Sequence, residues 1–179
     1  MKTDPIRESL RTASGYLSEH PEEARYTDSV ATATLEKGLR VRVEGPTGER
    51  ISTDMPASVG GAGSSPSPGW LFRAALASCD ATLIAMRAAV QGIQLSRLEV
   101  AVDSESDDRG ILGLDEGVPA GPLRIHVRVR LASPDATEGE LRKIVEWGDR
   151  HCPVSDAARR SIETTVDVET GSGEGRLAG

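Results

Sequence analysis

The chain is short of several things, and each shortage excludes a class of protein. It has two cysteines in 179 residues, too few for the disulfide framework of a small secreted domain. Basic residues are the minority, 21 against 28 acidic ones, for a net charge of −7. Lys and Arg are spread out with no basic block, so neither nucleic acid nor an anionic membrane is an expected partner. The first twenty residues, MKTDPIRESLRTASGYLSEH, carry charges throughout and hold no apolar core of a secretory signal. No uncharged apolar run is long enough to cross a bilayer. The best candidate, Ala74 to Ile93, contains Asp80 and Arg87, each costing about 2.5–3.5 kcal/mol near a bilayer centre. A cytoplasmic protein is expected. No internal repeat is visible.

The length suits one domain with a small appendage. It allows roughly 70% of the unfolded surface to be buried, so no disulfide is needed for folding. Pro5 to His20 reads as an amphipathic helix with Ile6, Leu10, Ala13 and Leu17 on one face. A β-meander follows: a strand near Ser29–Leu35, a turn at Lys37-Gly38, a return strand Leu39–Glu44, and a short third strand in RISTD. MPASVGGAGSSPSPG is a long loop, and a loop of this length inside a compact domain is usually functional or a linker. It leads into a helix from about Gly69 or Trp70 to Gln91, stopped by Gly92.

SRLEVAVDSESDD reads as a strand and RGILGLDEGVPAG as a loop. PLRIHVRVRLAS alternates, with Leu123, Ile125, Val127, Val129 and Leu131 inward and Arg124, His126, Arg128 and Arg130 outward. Thr137 and Glu140 form a capping-box pattern before a helix whose apolar face is Leu141, Ile144 and Val145. That helix ends by Cys152-Pro153, because proline disfavours helix in the residue before it. IETTVDVE reads as a last strand. The plan is α+β with antiparallel sheets. The central helix is apolar on nearly every side, so it must be covered on nearly every side. One sheet covers one face, and a second copy of the chain covers the other.

The chemistry rests on Cys79, inside the central helix, and Cys152, in HCPVSDAARR. A free cysteine is often an inert, buried hydrophobe. Here one follows a Gly-rich loop and the other sits at a helix end before proline, so the two are either inert core thiols or a pair that meets in space. Zinc has little support: His151-Cys152 is too close for a two-ligand spacing, and no third and fourth ligands are evident. Ser78 and Ser155 lack a Gly-x-Ser-x-Gly setting. SVGGAGSSPSPG follows no apolar parallel strand and is broken by Pro66 and Pro68, which argues against a phosphate loop.

LFRAALASC, TLIAMRAAVQGI and the downstream HCPVSDAARR, with GGAGSSPSPGWL before them, together resemble the OsmC/Ohr family of thiol-dependent hydroperoxide reductases. The resemblance spans roughly residues 27 to 168. It implies an OsmC-like intertwined homodimer, two central apolar helices wrapped by antiparallel sheets from both chains. It implies residues 1–26 as an N-terminal helical extension, 27–169 as the family domain and 170–179 as a flexible tail. It also implies that Cys79 is peroxidatic and Cys152 resolving, with an organic hydroperoxide as substrate, a dithiol as reductant, and no metal or cofactor.

Relatives supply an arginine from the first hairpin and a glutamate just before the cysteine helix. Here the glutamate position holds Gly69, Lys37 stands near the arginine position, and Arg40 and Arg42 follow closely. Lys37 and Arg40 are the expected basic partners, and one of Lys37, Arg40 and Arg42 is expected within about 4–6 Å of the Cys79 sulfur, where an opposite charge lowers a pKa. Asp80 beside Cys79 opposes a thiolate. The alternative is an OsmC-fold protein without efficient peroxidase chemistry, acting as a thiol-redox sensor or small-molecule binder.

Overall fold

A computed structural model describes residues 5–171. Helix α1 spans Pro5–Glu19. Strands β1 (Thr32–Lys37), β2 (Arg40–Glu44) and β3 (Arg50–Thr53) form an antiparallel sheet in the order β1-β2-β3. The turn between β1 and β2 places Gly38 at φ +61°, a conformation open to glycine. β1 begins three residues later than the sequence suggests.

The long helix α2, Pro68–Gln91, starts as proline and serine dictate. Ser67 caps it by accepting a hydrogen bond from the Trp70 N–H, and Pro68 takes the first helical position. Gly92, left-handed at φ +73°, ends it. Its buried residues Leu76, Asp80, Ile84 and Ala88 recur every fourth position, with Ala89 beside them. That spacing draws one stripe along the helix. Against it pack the two-stranded sheet of β4 (Arg97–Glu105) and β5 (Arg124–Ala132) and helix α4 (Glu138–His151). Ile84, Ala88 and Ile144 form the core centre, with Leu98, Val100, Val129 and Leu131 packed on it from the sheet. Leu123, expected inward, lies before β5 and is exposed, but within the strand the expected alternation holds. Its outer arginines are answered by β4: Arg130 binds Glu99 at 2.5 Å, and Arg128 binds Asp103.

The capping box of α4 is formed, with Glu140 N–H donating to Thr137 Oγ at 3.3 Å and Thr137 N–H to Glu140 Oε2 at 2.8 Å. A one-turn helix α3 (Asp108–Ile111) lies in the stretch expected to be all loop. Cys152 ends α4 and caps α5, Pro153–Arg159.

The strand expected in IETTVDVE is not formed. Residues 161–171 carry no regular structure, and Ile162, Val166 and Val168 are exposed. The alternation is real, but a strand needs a neighbouring edge to take its ladder hydrogen bonds, and among the described residues this segment pairs with none. The tail reading lies, from residue 172 on, outside the described residues. Among the described residues no helix is long and apolar enough to cross a membrane.

Candidate active site

The site forms where α2 meets the α4–α5 corner. Close approach there depends on Gly148, buried on α4 opposite Ile84 of α2. One turn further along α4, the chain breaks at Cys152, whose extended backbone (φ −74°, ψ +114°) lets Pro153 open α5. The break turns the Cys152 side chain inward. It is fully buried, and its sulfur accepts a hydrogen bond from the Ser155 N–H at 3.4 Å.

Cys79 and Cys152 are both free thiols, Cys79 half-buried and Cys152 buried. They meet: burial pushes the Cys152 thiol up to about 11, the Ser155 N–H opposes the shift, and contacts with Asp80 and Cys79 add to it. A chain separation of 73 residues is closed by packing α4 on α2.

Asp80, expected to oppose a thiolate at Cys79, also lies close to Cys152, a neighbour the sequence does not show. It is 1% exposed, and its Oδ1 accepts a hydrogen bond from Ser155 Oγ at 3.2 Å. The Ser155 hydroxyl also lies 3.4 Å from Asp149 Oδ1, and Asp149 is held by Arg159 at 2.5 Å. One hydroxyl has one proton, so Asp80 and Asp149 share it. Asp80 Oδ2 makes no formed hydrogen bond. Two signals announce this cluster: a charge in the buried stripe of an apolar helix, and a serine three residues after the C-P cysteine.

Other expected residues sit elsewhere. Arg40 bonds Glu36 at 3.1 Å and reaches Ser64 Oγ at 2.9 Å, and Arg42 pairs with Glu36 and Glu44 at 3.5 Å each. Lys37 is exposed at the end of β1. Within one chain this hairpin lies on its own sheet, and Arg40 reaches the loop before α2 through Ser64 and Ser65. Gly69 is exposed in the first turn of α2, with room for a side chain: a methyl group there meets only Arg73 Nη1 at 3.9 Å and Ser67 Oγ at 4.0 Å. The loop is anchored by Asp54, 2% exposed, which accepts from the Met55, Ala62 and Ser64 N–H groups and from Ser64 Oγ. His151 donates from Nδ1 to the Trp147 carbonyl at 2.8 Å and stacks on the Trp147 ring.

Chemically, the corner holds two thiols and a carboxylate, a set suited to reversible oxidation of one sulfur and its capture by the other. Comparison with known proteins agrees in kind. Residues 61–167 match the OsmC-like protein family. The chain is 30% identical over 149 residues to the organic hydroperoxide resistance protein of Xanthomonas axonopodis pv. citri (strain 306), covering 83% of this chain and 97% of that one. Its fold is similar to the OsmC-like protein of Mycoplasma pneumoniae (TM-score 0.64, 16% identity, 75% of this chain and 89% of that one). It is also similar to an organic hydroperoxide resistance protein from Legionella pneumophila (TM-score 0.56, 24% identity, 75% and 91%).

Proposed function

The chain belongs to the OsmC-like protein family, and on that footing we propose that it reduces organic hydroperoxides with a dithiol as electron donor. Cys79 is the peroxidatic residue. Its thiolate attacks the O–O bond, the bond breaks, and the alkoxide leaves to be protonated to the alcohol. Cys79 becomes a sulfenic acid. Cys152 attacks that sulfur, an intramolecular disulfide forms, and water leaves. A dithiol reopens the disulfide by two exchange steps, returning both thiols. Such an activity protects a cell against peroxide stress from the cytoplasm.

The observation that carries this reading is the joining of the two cysteine segments at the α2–α4–α5 corner: Asp80, next to Cys79, accepts from Ser155 Oγ at 3.2 Å, and the Ser155 N–H holds the Cys152 sulfur at 3.4 Å. Cys79 is also the more accessible of the two, as befits the sulfur that meets substrate.

The working unit is a homodimer in which sheets of both copies wrap the paired α2 helices, with residues 27–169 as the family domain and 1–26 as an extension. Within one chain only a single stripe of α2 is buried, and Trp70 and Val90 are exposed. Among the described residues the β1–β3 sheet shares no extensive contact with a helix or with the β4–β5 sheet, and residues 161–171 form no strand. A second copy supplies what each lacks. In that arrangement a hairpin cation, Lys37 or Arg40, comes to Cys79 from the other copy.

Peroxide-dependent turnover with a dithiol, for wild type and Cys79→Ser, tests the reading. Turnover in the wild type that Cys79→Ser abolishes is expected. A wild type with no turnover contradicts it.

A further inference from the structure

Leu76, Asp80, Ile84 and Ala88 form the buried stripe of α2, and an apolar residue at the second place would complete it. Instead the stripe holds a carboxylate with one weak hydrogen bond, from a hydroxyl shared with Asp149, and an Oδ2 left without one. Burying a charge with so few donors is costly unless it serves the chemistry around it. Ser155 ties the group together: its N–H holds the Cys152 sulfur while its hydroxyl holds Asp80 Oδ1. The carboxylate is thereby fixed beside the thiol.

Resting on the hydroperoxide-reductase reading, we infer that Asp80 is the general base of the resolving step, taking the Cys152 thiol proton as that sulfur attacks oxidised Cys79. The Cys152 electron pair forms the S–S bond and the S–O bond of the Cys79 sulfenic acid breaks. The departing hydroxide recovers the proton from Asp80 and leaves as water. Cys152 is oxidised and the Cys79 sulfur is reduced by the same pair of electrons.

The need for a base follows from burial. With its thiol pushed up to about 11, roughly one Cys152 in ten thousand is a thiolate at pH 7, and the thiolate is the nucleophile. A carboxylate in contact removes that limit. The other titratable or charged groups of the corner are Cys79 on α2, Asp149 on α4 and Arg159 on α5, the last two paired with each other. Arg87 lies over the Trp147 ring, and His151 is occupied by Trp147.

The test uses the full chain, reduced and mixed rapidly with one equivalent of cumene hydroperoxide. Cys79 sulfenic acid is trapped with dimedone, and disulfide is followed by mass. Asp80→Asn is expected to form the sulfenic acid no more slowly than wild type and to close the disulfide about 100-fold or more slowly, the usual worth of a positioned base. In the wild type, closure is expected to stay flat from pH 6 to 8, where attack by a free thiolate would rise about tenfold per unit. Closure by Asp80→Asn at the wild-type rate, or a tenfold rise per unit in the wild type, overturns the inference and leaves the peroxidase reading standing. If Asp80→Asn does not fold, the wild-type pH series decides. Absence of any sulfenic acid in the wild type overturns the reading itself, and the inference with it.

Discussion

Gly148 and Ile84 touch so closely that a methyl group on Gly148 would lie 2.6 Å from Ile84 Cγ1 and 3.0 Å from the Ile84 backbone nitrogen. This contact sets the distance between α4 and α2, and through it the meeting of Cys152 with Cys79. Gly148→Ala gains up to about 1 kcal/mol of helix propensity. It loses about 1–3 kcal/mol to overpacking, because a backbone atom cannot step aside as a side-chain end can. The net outcome is a less stable protein in which disulfide closure is slowed, read by denaturant unfolding and by the rate of thiol loss after peroxide.

Gly69→Glu places a glutamate at an open position. It replaces glycine in the first turn of α2, places an acid at the helix N-terminus, and sets it four residues before Arg73. A gain of about 1 kcal/mol is expected from propensity and dipole together, seen as a higher melting temperature. No change or a loss would mean that the glycine is required by its surroundings.

Asp54 predicts an acid-sensitive loop. Hydrogen bonds from the Ser64 N–H and hydroxyl, then from Met55 and Ala62, hold its carboxyl below the ordinary value of 3.8. A depressed folded value contributes stability that is present above 3.8 and lost as pH falls through the lower folded value. Asp54→Asn is therefore less stable than wild type at pH 7, and the gap closes as acid protonates the wild-type carboxyl. Melting curves for both proteins across that range check it.

Exposed Trp70 and Val90 on α2 and the 161–171 segment, unpaired among the described residues, predict assembly. Light scattering at micromolar concentration should give about twice the 18.9 kDa chain mass, and the dimer should not dissociate without unfolding. A folded monomer would contradict the homodimer.

Local rules carried much of the fold. Ser67-Pro68 and Gly92 bound α2, the Thr137–Glu140 box starts α4, and the alternation of β5 is as read, because each depends on neighbours in sequence. The last strand fails for the complementary reason: IETTVDVE has the pattern, but a strand exists only where another edge pairs with it. The site divides the same way. Cys79 and Cys152 were recognisable from their motifs, while the Ser155–Asp80 hydrogen bond spans 75 residues and appears only once α5 is folded against α2. Arg40 is turned to Glu36 and Ser64, a placement set by a loop folding back across 24 residues that no local pattern encodes.

The central claim is that Cys79 and Cys152 form one redox pair. Adding one equivalent of an organic hydroperoxide to the reduced protein, then counting free thiols and mapping peptides by mass, tests it most directly. Both thiols should disappear together into a single 79–152 linked peptide, Cys79→Ser should protect Cys152, and Cys152→Ser should leave Cys79 to over-oxidise. If the two thiols react independently, each at the rate of an ordinary free cysteine and without the linked peptide, the account is wrong.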